Sequence, residues 1–224
     1  MGTVTLHPGH IRPVWAGHPW VFAQAVARIE GGATPGDEVD VVDPKGSFLG
    51  RGLYSPRSAI LVRIYSRERG EHLDGKLLTR RIEAAIARRA AVGLPAERTN
   101  GYRLVHAEGD ELPGLIVDRF GDSLVLQIGT IGMSRRRGQI VDVLNRLLSP
   151  RMILDRTPER TAELEGFNLG ERLLLGEEQN SLRFEERGFV YELPTALTQK
   201  TGYYFDQRPL RDLVERLSPG KRVL

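Results

Sequence analysis

Eleven consecutive residues, Thr198-Gln199-Lys200-Thr201-Gly202-Tyr203-Tyr204-Phe205-Asp206-Gln207-Arg208, place amides, hydroxyls, an ammonium, three aromatic rings, a carboxylate and a guanidinium around one glycine. Such a segment can stack a flat ring on its aromatics and bond a carboxylate through Lys200 or Arg208. At Gly202 it can bring backbone close to a ligand, because no Cβ intervenes. A structural loop leading into a helix is the alternative. A second group lies near the N-terminus, where Trp15, Trp20 and Phe22 share a window of thirteen residues with His10, Arg12 and His18. Stacking surfaces interleaved with cations suit single-stranded RNA, and core packing of the same rings is the other reading. A third is Arg135-Arg136-Arg137 at the start of a helix, where the macrodipole disfavours cations. A phosphate partner relieves that cost; a solvated, salt-screened run is the alternative.

Other groupings carry less. Glu108, Asp110, Glu111 and Asp118 flank Leu112-Pro113-Gly114, and paired carboxylates can do acid–base work or hold magnesium, but tight turns favour acids for local hydrogen bonds. The histidines at positions 7, 10, 18, 72 and 106 match no metal-ligand spacing, so no metal is expected. No nucleophile elbow, phosphate-cradling Gly-Lys-Ser/Thr loop or His-Glu-x-x-His occurs, which removes the support for hydrolase and kinase readings. With no cysteine, disulfide scaffolds, thiolate catalysis and Cys-based metal sites are excluded within the chain.

The elements that must position these groups follow from hydrophobic period. The first 65 residues read as short strands, Val39 to Val42, Ser47 to Leu53 and Ala59 to Tyr65, separated by Asp43-Pro44-Lys45-Gly46 and Ser55-Pro56-Arg57. From Leu73, apolar residues recur at helical spacing through Leu77, Leu78, Ile82, Ile86 and Ala90 until Gly93 and Pro95, with Arg80, Arg81, Arg88 and Arg89 on the other face. Strands are expected at Arg103 to Ala107, Leu115 to Phe120 and Ser123 to Ile128. Ser134 is expected to cap a helix running to Leu148, followed by a buried strand at Met152 to Asp155. Further strands fall near Leu173, at Leu182 to Glu185 and at Phe189 to Leu193. A last helix, Pro209 to Leu217, carries a stripe of Leu210, Leu213, Val214 and Leu217.

A chain of 224 residues with 40% hydrophobic and 27% charged residues suits one large or two small globular domains. Its apolar runs are too short to span a bilayer, and Met1 to Arg12 offers no signal peptide, so a cytoplasmic protein is expected. The net charge of +3 permits a nucleic-acid partner without requiring one.

Four stretches together resemble one family: Gly17-His18-Pro19-Trp20-Val21-Phe22; Glu108-Gly109-Asp110-Glu111-Leu112-Pro113-Gly114-Leu115-Ile116-Val117-Asp118-Arg119; Glu165-Gly166-Phe167; and Lys200-Thr201-Gly202-Tyr203-Tyr204-Phe205-Asp206-Gln207-Arg208. The second and fourth are the specific ones. The chain resembles the large-subunit ribosomal RNA cytosine-5 methyltransferases, which carry a PUA domain, a central strand-strand-helix-strand-strand domain and a Rossmann-like domain using S-adenosylmethionine. The resemblance implies an α+β chain in three parts. Residues 1–70 are a small β-barrel-like PUA RNA-binding domain, with Arg12, His18 and Trp20 near its RNA face. Residues 73–190 are the central α+β domain. Residues 191–224 are the start of the methyltransferase domain, truncated to the first elements of a Rossmann-like fold, with Gly220 to Leu224 opening its first strand. Gln199, Lys200, Thr201, Gly202, Tyr203, Tyr204, Phe205, Asp206 and Arg208 then face the cofactor. Arg135, Arg136 and Arg137 add a basic RNA-binding run.

In that family the glycine-rich cofactor loop, the ribose-holding acid and the catalytic cysteine lie after the point matching Leu224. The resemblance therefore implies the RNA-recognition portion of a methyltransferase, with S-adenosylmethionine as cofactor of the full-length family and not bound by these residues alone. It implies no catalytic residue here and an inactive separate polypeptide. Ribosomal RNA is the expected partner, with homodimerisation and no membrane. A stand-alone PUA-type RNA-binding adaptor without catalysis is the alternative, and a structural or protein-interaction module a third.

Overall fold

The computed structural model describes residues 1–196 and 200–222. The N-terminal part contains β1 (Gly2–Leu6), α1 (Ile11–Trp15), β2 (Trp20–Phe22), β3 (Val26–Glu30), β4 (Glu38–Val42), β5 (Phe48–Tyr54) and β6 (Ile60–Ser66). The six strands form one sheet in the order β2-β6-β5-β4-β1-β3, antiparallel except for the β1–β4 pair. Alternation turns Val4, Leu6, Val39, Val41, Val62 and Ile64 into one buried cluster, with Val14 of α1 and Val21 of β2 added.

The remainder begins with α2 (Gly75–Ala91), followed by β7 (Gly101–His106), β8 (Leu115–Phe120) and β9 (Ser123–Ile128). Then come α3 (Ile131–Ser134), α4 (Arg137–Leu148), β10 (Met152–Asp155), α5 (Glu159–Glu165) and β11 (Leu173–Gly176). A hairpin of β12 (Ser181–Glu186) and β13 (Phe189–Pro194) precedes α6 (Arg208–Leu217). Strands β7 to β11 make a five-stranded sheet ordered β11-β10-β9-β8-β7, in which β9 and β10 run parallel and the rest antiparallel. Parallel neighbours need a crossover, here supplied by α3 and α4.

Two layers cover that sheet. Leu115, Val117, Leu124, Leu126, Ile128 and Ile153 point to one face, under α2 and α4. Phe120, Val125, Met152 and Leu154 point to the other, where Leu182 and Phe184 of the hairpin and Phe205 close over them. The first layer continues into the N-terminal sheet, since Leu53 of β5 and Tyr65 of β6 belong to the same cluster. At Gly132 an added Cβ would stand 2.7 Å from Leu53 Cδ1, so α3 can lie against β5 only with glycine there.

Three expectations are corrected. The central part is not strand-strand-helix-strand-strand: residues 73–190 run helix, three strands, two helices, strand, helix, two strands, and reach into β13. Nor is the chain's α/β character limited to the opening elements of a Rossmann-like portion after residue 191. Its parallel, helix-crossed strands are β9 and β10, whereas the described residues after 191 contribute the end of β13, a turn and α6. Val223 and Leu224, the apolar start of the expected strand, lie outside the described residues. Finally, Ser134 is not the cap. Thr130 accepts from the Met133 amide at 3.2 Å and starts α3, and α4 begins separately at Arg137. Asp74 caps α2 in the same manner, accepting from the Lys76 and Leu77 amides.

Candidate functional site

The 200–208 segment lies against the sheet face formed by β7, β8 and the hairpin, and its side chains divide into two sets. Thr201 is fully buried and its hydroxyl donates to Asp118 Oδ2 at 2.5 Å. Asp118 of β8 also accepts both arms of Arg103, at 2.9 and 3.1 Å. Gly202 has φ +116°, and an added Cβ there would stand 2.5 Å from Arg156 Nη1. Arg156 is itself buried, donating to the carbonyls of Thr195 (2.6 Å) and Thr201 (2.7 Å), so one guanidinium ties the residue after β13 to the 200–208 segment. Burial, with the charge of Arg172, pulls its pKa down.

Tyr203 and Phe205 pack edge-on with Phe184, and Tyr191 stacks on Phe184. The Tyr203 hydroxyl donates to Glu186 Oε2 at 3.2 Å, and its pKa is raised by burial, the hydrogen bond with Tyr191 and the Glu186 charge. Glu186, buried at the end of β12, also accepts from Arg208 (2.7 Å) and Arg211 (2.8 and 3.1 Å). Burial pushes its carboxyl up, but the bonds and charges of Arg211 and Arg208 outweigh burial and hold it below the usual glutamate range. Thr201, Gly202, Tyr203, Phe205 and Arg208 therefore anchor the segment. Lys200 and Asp206 are exposed and Tyr204 half-buried, with the Lys200 ammonium 4.0 Å from the Tyr204 ring centroid. Gln199 lies outside the described residues.

Asp206, Phe205 and Arg208 border a cavity of about 430 Å³ that Arg88, Arg103 and His106 complete. A volume of this order suits a small-molecule ligand. Its guanidiniums are matched from behind: Arg103 by Asp118, Arg88 and Arg89 by Asp110, Arg208 by Glu186. Burial raises the Asp110 pKa, and Arg89, the His106 amide and Arg88 more than reverse it. Asp110 and Asp118, read from sequence as members of an acidic cluster, thus serve as fixed counter-charges. In the sequence Arg103 is only a polar position within β7; the β7–β8 register sets it opposite Asp118, and Thr201, which shares that carboxylate, comes from nearly a hundred residues further on.

The N-terminal group is arranged differently. Arg12 and Trp15 are exposed on α1, Trp15 at 76%. His18 accepts the Trp20 amide on Nδ1 at 3.2 Å, and the rings of His18, Trp20 and Phe22 follow one another edge to face. Arg67 holds the preceding turn by donating to the carbonyls of Val14, Leu49 and His18. Trp20 is tied down as well, its Nε1 donating to Glu108 Oε1 at 2.9 Å. The stretches around Trp20 and Glu108, far apart in sequence, meet at the boundary between the two sheets. Neither the core-packing reading nor a freely exposed row describes them: Trp15 is open, and Trp20 is an anchored partner.

Arg135, Arg136 and Arg137 do not form a free basic run. Arg135 pairs with Asp37 (2.8 Å), Arg136 with Glu38 (2.9 Å) and Arg137 with Asp155 (3.3 Å). Arg136 also donates to the carbonyls of Leu73, Gly36 and Gly132. The dipole cost expected of cations at this helix start is offset by carboxylates, two of them on the N-terminal sheet unit, and the run joins the two parts of the molecule.

Residues 4–67 match the family model described as a PUA-like domain. The chain is 38% identical over 208 residues to the ribosomal RNA large subunit methyltransferase I of Erwinia tasmaniensis, covering 92% of this chain and 52% of that protein. It is 37% identical over 222 residues to the enzyme of that name from Escherichia coli, covering 99% of this chain and 56% of that protein. The chain spans about half the length of the curated relatives it matches. A solved structure described as “a putative methyltransferase complexed with SAH” superimposes with a TM-score of 0.81 at 16% identity, over 97% of this chain and 54% of that one. That likeness is one of fold. With 97% of the chain matched by a methyltransferase fold, the idea of a chain holding only the first elements of such a fold is overturned. The companion expectation of an inactive front portion has no support in these matches. Among the described residues no helix is long and apolar enough to cross a membrane.

Proposed function

We propose that this chain recognises large-subunit ribosomal RNA for methylation that uses S-adenosylmethionine as the methyl donor. The observation that carries the reading is the similarity across 99% of the chain to ribosomal RNA large subunit methyltransferase I. The fold likeness to a structure holding SAH, the product left when that donor gives up its methyl group, supports the choice of cofactor.

RNA contact is assigned to the PUA-like part, residues 1–70, through Arg12 and Trp15 on α1 with His18 beside them. Trp20 orients this surface through Glu108. Stacking on an exposed indole and phosphate contact from Arg12 are the forces expected for unpaired RNA. Of the three consecutive arginines, Arg135 alone has a side chain near half exposed, at 47%, and can reach RNA without dismantling a buried pair.

The cofactor is assigned to the side of the 200–208 segment that the sheet leaves open. The donor set fits an amino-acid-tailed nucleoside: Asp206 can accept from hydroxyl or ammonium groups, and Lys200 and Arg103 can meet a carboxylate. Thr201, Gly202, Tyr203, Phe205 and Arg208 fix the segment's shape, and Gln199 belongs to the same assignment. Cytosine C5 is the target atom implied by the sequence resemblance. Methylation there calls for a nucleophile that adds to the ring, and the roles assigned to the residues named here are recognition and positioning. A ribosomal substrate places the protein in the cytoplasm. A homodimer through the exposed stripe of α6 belongs to the same proposal, and sedimentation showing only a 25.0 kDa species at high concentration removes it.

The test is binding of a large-subunit ribosomal RNA transcript over a range of salt, together with calorimetric titration of S-adenosylmethionine. Salt-dependent RNA affinity supports the reading, and its absence refutes it.

A further inference from the structure

A second surface, away from the 200–208 segment, carries arginines that the molecule does not neutralise. Arg119 of β8, Arg151 just before β10 and Arg183 of β12 line a cleft of about 870 Å³ where the β8–β9 turn meets the hairpin. Arg151 and Arg183 are exposed, and among the described residues neither has a carboxylate oxygen within 4.0 Å. Arg119 donates its Nε to the Gly121 carbonyl at 2.8 Å, which holds the side chain without cancelling its charge. Arg103, Arg136, Arg137, Arg208 and Arg211, by contrast, each sit against a carboxylate.

The cleft is also built to hold its shape. Gly121 has φ +62°, and an added Cβ would stand 2.7 Å from the Arg183 carbonyl, so the turn and the hairpin strand touch through backbone. Asn100 ties the same parts together, accepting the Glu185 amide on Oδ1 at 2.7 Å and the Gly121 amide on its carbonyl at 3.2 Å. Two carboxylates border the cleft. Glu185 is paired with Arg98 at 3.4 Å, and Asp122 accepts from Ser123 at the rim. Asn180, exposed beside Arg183, adds an amide. Three guanidiniums on a rigid, polar cleft offer forked donors matched to phosphate oxygens.

We propose that this cleft binds the phosphodiester backbone of RNA, as a contact separate from the PUA-like surface. The inference rests on the reading of the chain as an RNA-recognising protein and adds the place where a second stretch of the strand is held. Contacts of this kind position the strand and carry no base specificity.

The test compares the whole chain with the double variant Arg151→Ala, Arg183→Ala, using an end-labelled large-subunit ribosomal RNA transcript at several salt concentrations. Both side chains are exposed, so thermal unfolding is expected to be unchanged. Each lost phosphate contact lowers the slope of log affinity against log salt by roughly 0.7–0.9, and affinity near physiological salt is expected to fall about tenfold. The variant Arg151→Lys, Arg183→Lys, which keeps the charges, is expected to recover most of the slope. RNA affinity and slope that match the parent in the alanine variant overturn this inference and leave the proposed function standing. A parent chain with no salt-dependent RNA affinity overturns both.

Discussion

The indole Nε1 of Trp20 donates to Glu108 Oε1 at 2.9 Å, joining the edge strand of the N-terminal sheet to the acidic turn after β7. Because Trp20 also packs edge-on with His18, this bond fixes the orientation of the ring row next to exposed Trp15. Trp20→Phe keeps a ring and removes the donor, leaving a half-buried carboxylate one partner short. A loss of about 1–2 kcal/mol in urea unfolding is expected. Glu108→Gln, which retains an acceptor, is expected to cost less.

The boundary is held more strongly by Arg136 than by its neighbour. Arg136 and Glu38 are both mostly buried, with side-chain exposures of 15% and 14%, and Arg136 donates to three carbonyls besides. Arg136→Ala leaves Glu38 and those carbonyls short of a donor, for an expected cost of about 3 kcal/mol. The more exposed Arg135–Asp37 pair is worth under about 1 kcal/mol. Thermal unfolding of the two variants side by side checks the ranking.

Acid is expected to loosen the 200–208 segment. The Glu186 carboxyl, pushed up by burial but held down further by Arg211 and Arg208, titrates below its ordinary value of 4.5. A depressed folded-state pKa means stability that is fully present above the unfolded value and lost as pH falls through the folded one. Unfolding midpoints measured from neutral pH downward should therefore drop below about pH 4.5. Glu186→Gln should flatten that drop while lowering stability at neutral pH.

Gly202 tests whether the turn needs its shape. At φ +116°, with Arg156 Nη1 2.5 Å from where a Cβ would be, Gly202→Ala forces either the backbone or the guanidinium to move. The expected cost is about 1–3 kcal/mol. Titration of S-adenosylmethionine should show weaker binding, because Lys200, Tyr204 and Asp206 are carried on the displaced segment.

What could be read in the sequence was local. The helical recurrence of Leu77, Leu78 and Ile82 marks α2, and all three are buried. The strands β8 and β9 show in the alternation of Leu115 and Val117 and of Leu124, Leu126 and Ile128. The start of α3 is not legible in the sequence, where Ser134, beside the arginines, competes with Thr130, and only the chain's exit from β9 makes Thr130 the residue whose hydroxyl meets a free amide. Arg135, Arg136 and Arg137 read as a free cationic run because Asp37 and Glu38 are nearly a hundred residues away. Composition shows both signs of charge and says nothing of their pairing. The 200–208 segment stood out by its density of functional groups, yet that density does not tell Thr201, buried on Asp118, from Asp206, open to solvent.

The most direct measurement is the affinity of the chain for a large-subunit ribosomal RNA transcript across a salt series, for the parent and for Trp15→Ala. A steep salt dependence is expected, with Trp15→Ala losing about 1–3 kcal/mol of binding through one lost stacking platform and leaving the unfolding midpoint unchanged. Affinity that is absent, or that ignores salt, would contradict RNA recognition by this chain.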